Sequence, residues 1–203
     1  MLMKSIKFII LAFGLFLSLT VYADSPINSI LRQPNDPVAG NPKGKVTIVE
    51  FFDYQCSHCS NMAPVIASII KANPNVRVVF KEYPIFGGIS EFATRAALAA
   101  NMQKKYYLFN HALLTSNLAM NENNIYDIAK SLGLNVEKLK SDMKSPRIKN
   151  QVNANYALAR RLNITGTPSF FIGKTQEQNS SNLDFVSGEM SQSELQDSIN
   201  KAS

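Results

Sequence analysis

Residues 46–59 read Val46-Thr47-Ile48-Val49-Glu50-Phe51-Phe52-Asp53-Tyr54-Gln55-Cys56-Ser57-His58-Cys59. The first seven form a near-continuous β-branched and aromatic run, the pattern of a strand buried on both faces. Two thiols separated by two residues follow, at the mouth of a stretch whose apolar spacing predicts a helix to about Lys71. Val76 to Lys81 is a second run of the strand type. Strand, helix and strand within ~35 residues make a βαβ unit, so the two strands are expected to be parallel.

Further along, Glu91–Gln103, Lys105–Thr115, Ile125–Leu132 and Val136–Met143 place apolar residues at three- and four-residue spacing, which predicts four helices. Gly133 is expected to close the third. A longer helix is expected from about Arg147 to Leu162, with Pro146 in its first turn. Thr165-Gly166-Thr167-Pro168 then leads into a strand at Ser169–Ile172, and a short strand is expected at Leu183–Val186. Ser191-Gln192-Ser193-Glu194 reads as a capping box opening the last helix. Upstream, Asp24 to Lys45 holds four of the nine prolines and no apolar period, so it reads as an irregular arm.

The first residues read as an export signal. Lys4 and Lys7 form a basic n-region, Phe8 to Val21 an apolar run, and Val21-Tyr22-Ala23 a small-residue cleavage pattern. The run is short for a bilayer span, which takes ~20 residues. The whole chain has 203 residues and a formal net charge of +6. Residues 1–23 carry two lysines and no acids, so the remainder has 19 basic and 15 acidic side chains and a charge of about +4. No Lys/Arg stripe accompanies that mild excess, which argues against a nucleic-acid binder. A hydrophobic fraction of 45% argues against a disordered chain. Export places the only two cysteines in an oxidising compartment, where they can pair.

A helix N-terminus carries roughly half a positive charge and unpaired N–H groups. A thiol placed there loses its proton more readily, because the thiolate accepts those N–H groups. Cys56, nearest the helix end, is therefore expected to be the nucleophile, and Cys59, one turn further in, the buried resolving thiol. His58 stands between them, where a protonated imidazole would favour the thiolate. Stabilising the thiolate stabilises the reduced dithiol, which makes its disulfide a strong oxidant.

With these residues in place, the chain resembles the thioredoxin-fold disulfide oxidoreductases, and among them the periplasmic DsbA-like proteins. The resemblance rests on Val46 to Cys59, on Pro64 where helices of this family kink, and on Thr167-Pro168, which matches the cis-proline loop. It implies an α/β thioredoxin fold, a central mixed sheet with flanking helices and an inserted helical subdomain. The implied organisation is an export signal over 1–23, an arm over 24–45, a thioredoxin-fold domain over 46–88 and 146–203, and the insertion over 89–145. It further implies that Thr167 and Pro168 bind substrate backbone. Glu50 matches the buried acid that manages the inner cysteine's proton, and Lys81 on the next strand is expected to partner it. The implied activity is disulfide donation from Cys56–Cys59 to reduced exported proteins, without metal, nucleotide or flavin. A quinone-linked membrane partner of the DsbB kind would reoxidise the pair. Ser57, where family oxidases often carry proline, and Thr167, where the most familiar one has valine, tune potential and substrate release. Oxidation and isomerisation or reduction therefore both stay open. Only about 22 residues separate the expected cleavage site from the first strand, too few for a separate dimerisation domain, which favours a monomer.

Three other readings compete. Zinc wants four ligands, and beyond the pair only His58 and His111 are available. An inert disulfide would close so small a loop that it constrains the unfolded chain little. A binding or chaperone-like module retaining the fold without turnover is the third.

Overall fold

The computed structural model describes residues 26–203. In chain order the elements are α1 (Pro26–Leu31), β1 (Val38–Gly40), β2 (Val46–Phe52), α2 (Ser57–Ala72), β3 (Val76–Glu82), α3 (Gly88–Met102), α4 (Tyr106–Thr115), α5 (Glu122–Ser131), α6 (Val136–Asp142), α7 (Pro146–Arg161), β4 (Ser169–Lys174), β5 (Asp184–Ser187) and α8 (Gln192–Ala202). The export signal expected over 1–23 lies outside the described residues.

The strands form one sheet in the order β1-β3-β2-β4-β5. β2 is central, and all seven of its residues are buried, as its sequence predicts. It runs parallel to β3 across the α2 crossover and antiparallel to β4. The mixed sheet expected from the sequence is therefore present. Caps fix the helix starts: the Ser145 hydroxyl accepts from the Ile148 N–H ahead of Pro146, and Ser191 with Glu194 forms the predicted capping box. Gly133 follows α5 with a φ of 69°, a conformation that favours glycine.

The segment from Pro26 to Gly40, read from its prolines as irregular, contains a helix and an edge strand. Ile27, Ile30 and Leu31 on α1 are buried, and β1 pairs antiparallel with β3. Three apolar residues within one short helix are too weak a period to recognise between prolines, and packing against the sheet supplies what propensity lacks.

Side chains alternate across a strand, so β2 feeds two cores. Ile48 and Phe52 join Val78, Phe80, Phe170 and Ile172 beneath α2, α3, α4 and α8. Val49 and Phe51 join Val79 and Phe171 on the other face, covered by α1 and α7. That alternation decides the surroundings of every charged residue on these strands.

Candidate active site

Cys56 ends the turn after β2 and occupies the N-cap position of α2; its backbone N–H donates to the Asp53 carbonyl at 3.2 Å. Asp53 is itself buried and accepts from the Gln55 N–H at 2.7 Å, the Ser90 hydroxyl at 2.6 Å and the Phe86 N–H at 3.0 Å. One carboxylate thus ties the Cys56 turn to the loop that opens α3 and leaves the Phe86 ring exposed beside it. Both cysteines are free thiols. Cys56 retains 5% of its surface and Cys59 none, so only Cys56 is open to a substrate sulfur.

The Thr167–Pro168 peptide, in the loop before β4, is cis. The Cys56 Sγ donates to the Thr167 carbonyl at 3.2 Å. Pro64 lies inside α2 and has no N–H for the carbonyl one turn back.

His58 is exposed, and its Nδ1 sits 2.5 Å from the Glu189 Oε1, which also accepts from the Asn61 amide at 2.9 Å. Those two bonds hold the Glu189 carboxyl below its ordinary value, Asn61 more than His58. Glu189 reaches the site from the turn after β5, and nothing in its local sequence pointed there. Ser57, the first residue of α2, faces solvent.

Beneath the thiols lies an acidic interior. Burial pushes the Cys59 thiol well above its ordinary range, and the nearby Glu50 charge pushes it further, while the Asp53 backbone pulls the other way. Glu50 is fully buried, and its Oε1 has no hydrogen-bond partner among the described residues. Burial first, and the Glu82 charge second, raise its carboxyl to about 8.

The expected Glu50–Lys81 pairing is not formed. In the parallel register Glu50 lies opposite Phe80, and Lys81 opposite Phe51, so the two side chains leave the sheet on opposite faces. Lys81 instead donates to Asp36 and, at 2.7 Å, to the Ser29 carbonyl, both on the α1 side. The acid that shares Glu50's face is Glu82, two positions along β3 from Phe80. Its Oε1 accepts from Tyr54 at 2.9 Å and Tyr106 at 2.7 Å, and its Oε2 from Thr94 at 2.7 Å. Tyr106 is buried, with its hydroxyl as the polar end of a core side chain.

Chemically, the arrangement presents one accessible thiol at a helix N-terminus with a buried second thiol one turn behind, the geometry for thiol–disulfide exchange. Fold and site together define a thioredoxin-fold dithiol protein. The DSBA-like thioredoxin domain model matches residues 47–200, and the chain belongs to that family. It is 42% identical to a thioredoxin-like oxidoreductase from Silicibacter pomeroyi DSS-3, covering 86% of this chain and 96% of that one with a TM-score of 0.78. It is 27% identical to the thiol-disulfide exchange protein α-DsbA2 from Wolbachia pipientis, covering 87% and 91% with a TM-score of 0.77. Among curated proteins, the thiol:disulfide interchange protein DsbA of Bordetella parapertussis is 28% identical over 152 residues, 68% of each chain. A 163-residue stretch also matches the Na(+)/H(+) antiporter NhaA 1 of Salinispora arenicola at 24% identity, but the chain spans only 25% of that protein's length.

Proposed function

We propose that the chain is a thiol:disulfide oxidoreductase that introduces disulfides into reduced, exported proteins through Cys56 and Cys59. The observation that carries this reading is the contrast within one helical turn. Cys56 is accessible beneath the Thr167 carbonyl, and Cys59 is sealed behind it beside a buried acid.

In the oxidised protein a substrate thiolate attacks the Cys56 Sγ. The Cys56–Cys59 bond breaks, a bond forms between the substrate and Cys56, and Cys59 leaves as a thiolate that takes up a proton. Glu50, facing Cys59 from β2, is the group placed to supply it. A second substrate thiolate then attacks the substrate sulfur of the mixed disulfide and releases the Cys56 thiolate. Two electrons have passed from the substrate dithiol to the protein disulfide. The Thr167 carbonyl borders the Cys56 sulfur, and a substrate strand can lie along the Thr167–Pro168 backbone. The exposed Phe86 ring offers apolar surface for unfolded segments. The redox couple is the cysteine pair itself, so the reaction draws on no metal, nucleotide or flavin.

The export signal read at 1–23 supports a periplasmic location, where reduced newly exported proteins are the substrates. Turnover needs an electron acceptor, and a membrane partner of the DsbB kind suits that compartment. Pro26 to Gly40 packs into this domain instead of projecting as a dimerisation segment, which supports a monomer.

The test is to give the purified protein a fully reduced multi-cysteine substrate and, separately, a scrambled one. Native disulfides appearing from the reduced substrate support oxidation. Rescue of the scrambled substrate alone makes the protein an isomerase instead, and neither activity, with substrate binding kept in Cys56→Ser, makes it a binding module.

A further inference from the structure

Two buried acids share one face of the sheet behind the cysteines, and the established exchange chemistry has no evident need of the second. Glu50 on β2 and Glu82 on β3 are diagonal neighbours: Glu50 is registered with Phe80, and Phe52 with Glu82. Their hydrogen bonding differs sharply. Glu82 receives three hydroxyl donors, from Tyr54, Tyr106 and Thr94, whereas Glu50 has an oxygen with none.

Hydrogen bonds donated to a carboxylate favour its charged form, and a like charge nearby disfavours a second ionisation. We infer that Glu82 is a positioning residue for the exchange proton: it is the acid that ionises first, and its charge keeps the proton on Glu50, the carboxyl that faces Cys59. This rests on the reading that Glu50 protonates the leaving Cys59 thiolate. The groups facing Glu50 are Glu82 from β3, Cys59 from α2 and Tyr107 from α4. Those facing Glu82 are Tyr54 and Asp53 from the turn after β2, Thr94 from α3 and Tyr106 from α4. No cation faces either acid in those sets, and Lys81 lies on the opposite face of the sheet. Burial raises both carboxyls to about 8, and only Glu82 has donors pulling back.

Glu50 gives its proton to the Cys59 thiolate and becomes a carboxylate beside Glu82. Where Glu82 is ionised, repulsion between the two then favours recapture of a proton from water, which resets the site for the next exchange.

The experiment is an infrared pH titration of the buried carboxyl bands, paired with the pH profile of Cys59 release during reduction of the protein disulfide. Wild type should show two steps. In Glu50→Gln the later step should vanish, and the remaining one should sit at or below the wild-type earlier step. In Glu82→Gln the Glu50 step, and the alkaline limb of the release rate with it, should move down by about one pH unit. If the step left in Glu50→Gln sits above the wild-type earlier step, the order of ionisation is reversed and the inference fails. That comparison holds even if Glu82→Gln does not fold. A limb lost in Glu50→Gln but unmoved in Glu82→Gln overturns the Glu82 role alone. A limb unchanged in Glu50→Gln overturns the Glu50 reading, and the Glu82 role with it.

Discussion

The Cys56 sulfur and the Thr167 carbonyl oxygen, 111 positions apart in sequence, lie 3.2 Å from each other. The contact places the Thr167 backbone, in the loop before β4, beside the exchanging sulfur.

The carbonyl makes that contact, while the Thr167 side-chain oxygen is buried with no partner among the described residues. An unpaired buried hydroxyl is a cost that an isosteric methyl removes. Thr167→Val is therefore expected to raise stability by about 1 kcal/mol, measured by urea unfolding, with the Cys56 contact retained.

Lys81 and Asp36 form a buried ion pair on the α1 face of the sheet. Removing one partner leaves a charge buried alone, so Lys81→Met should cost about 3–5 kcal/mol. Replacing both residues with apolar ones should recover most of that loss. Had Lys81 served Glu50 as the sequence suggested, the single substitution would instead shift the pH profile of exchange.

Glu50 gives stability an unusual pH dependence. Its carboxyl rises from 4.5 to about 8 on folding, so between those values the folded chain holds a proton that the unfolded chain has released. The stabilising contribution is full below the unfolded value and is lost as pH rises through about 8. The slope is about 1.4 kcal/mol per pH unit for each such group. Glu50→Gln removes one share of that slope, so its advantage over wild type in unfolding experiments should grow from pH 5 to pH 8. Glu82, also raised to about 8, keeps its own share.

Glu189 bonds the His58 Nδ1 and is itself held below the ordinary carboxylate value. The carboxylate thus persists through neutral and mildly acidic solution, and the hold is lost only as pH falls through that lowered value. Neutral His58 should therefore carry its proton on Nδ1, observable as the imidazole tautomer by nitrogen NMR. Glu189→Ala should release that preference; an unchanged tautomer would mean the pair does not orient the ring.

Much of this site was legible because it is local. Strand, Cys-Xaa-Xaa-Cys and helix occupy 27 contiguous residues, Val46 to Ala72, and burial of β2 shows directly in its apolar run. Thr167-Pro168 was legible only through the family resemblance. What escaped depended on register. Nothing in the sequence says which β3 residue faces Glu50, and a shift of one position exchanges Lys81 for Glu82. Glu189 and Asp53 escaped for a related reason: apart from the local Gln55 and Cys56 bonds of Asp53, their partners lie at least 33 positions away, as in the Asp53–Phe86 and Glu189–Asn61 bonds. The α1 helix was hidden by its prolines.

Trapping distinguishes Cys56 as the exchanging thiol from Cys59 as the resolving one. Reduced Cys59→Ser and Cys56→Ser proteins are each mixed with a disulfide-bonded peptide, and the covalent adduct is followed by mass spectrometry. A mixed disulfide should accumulate rapidly on Cys56 in Cys59→Ser, and almost none on Cys59 in Cys56→Ser. Adducts forming at equal rates on both thiols, or on neither, would contradict that assignment.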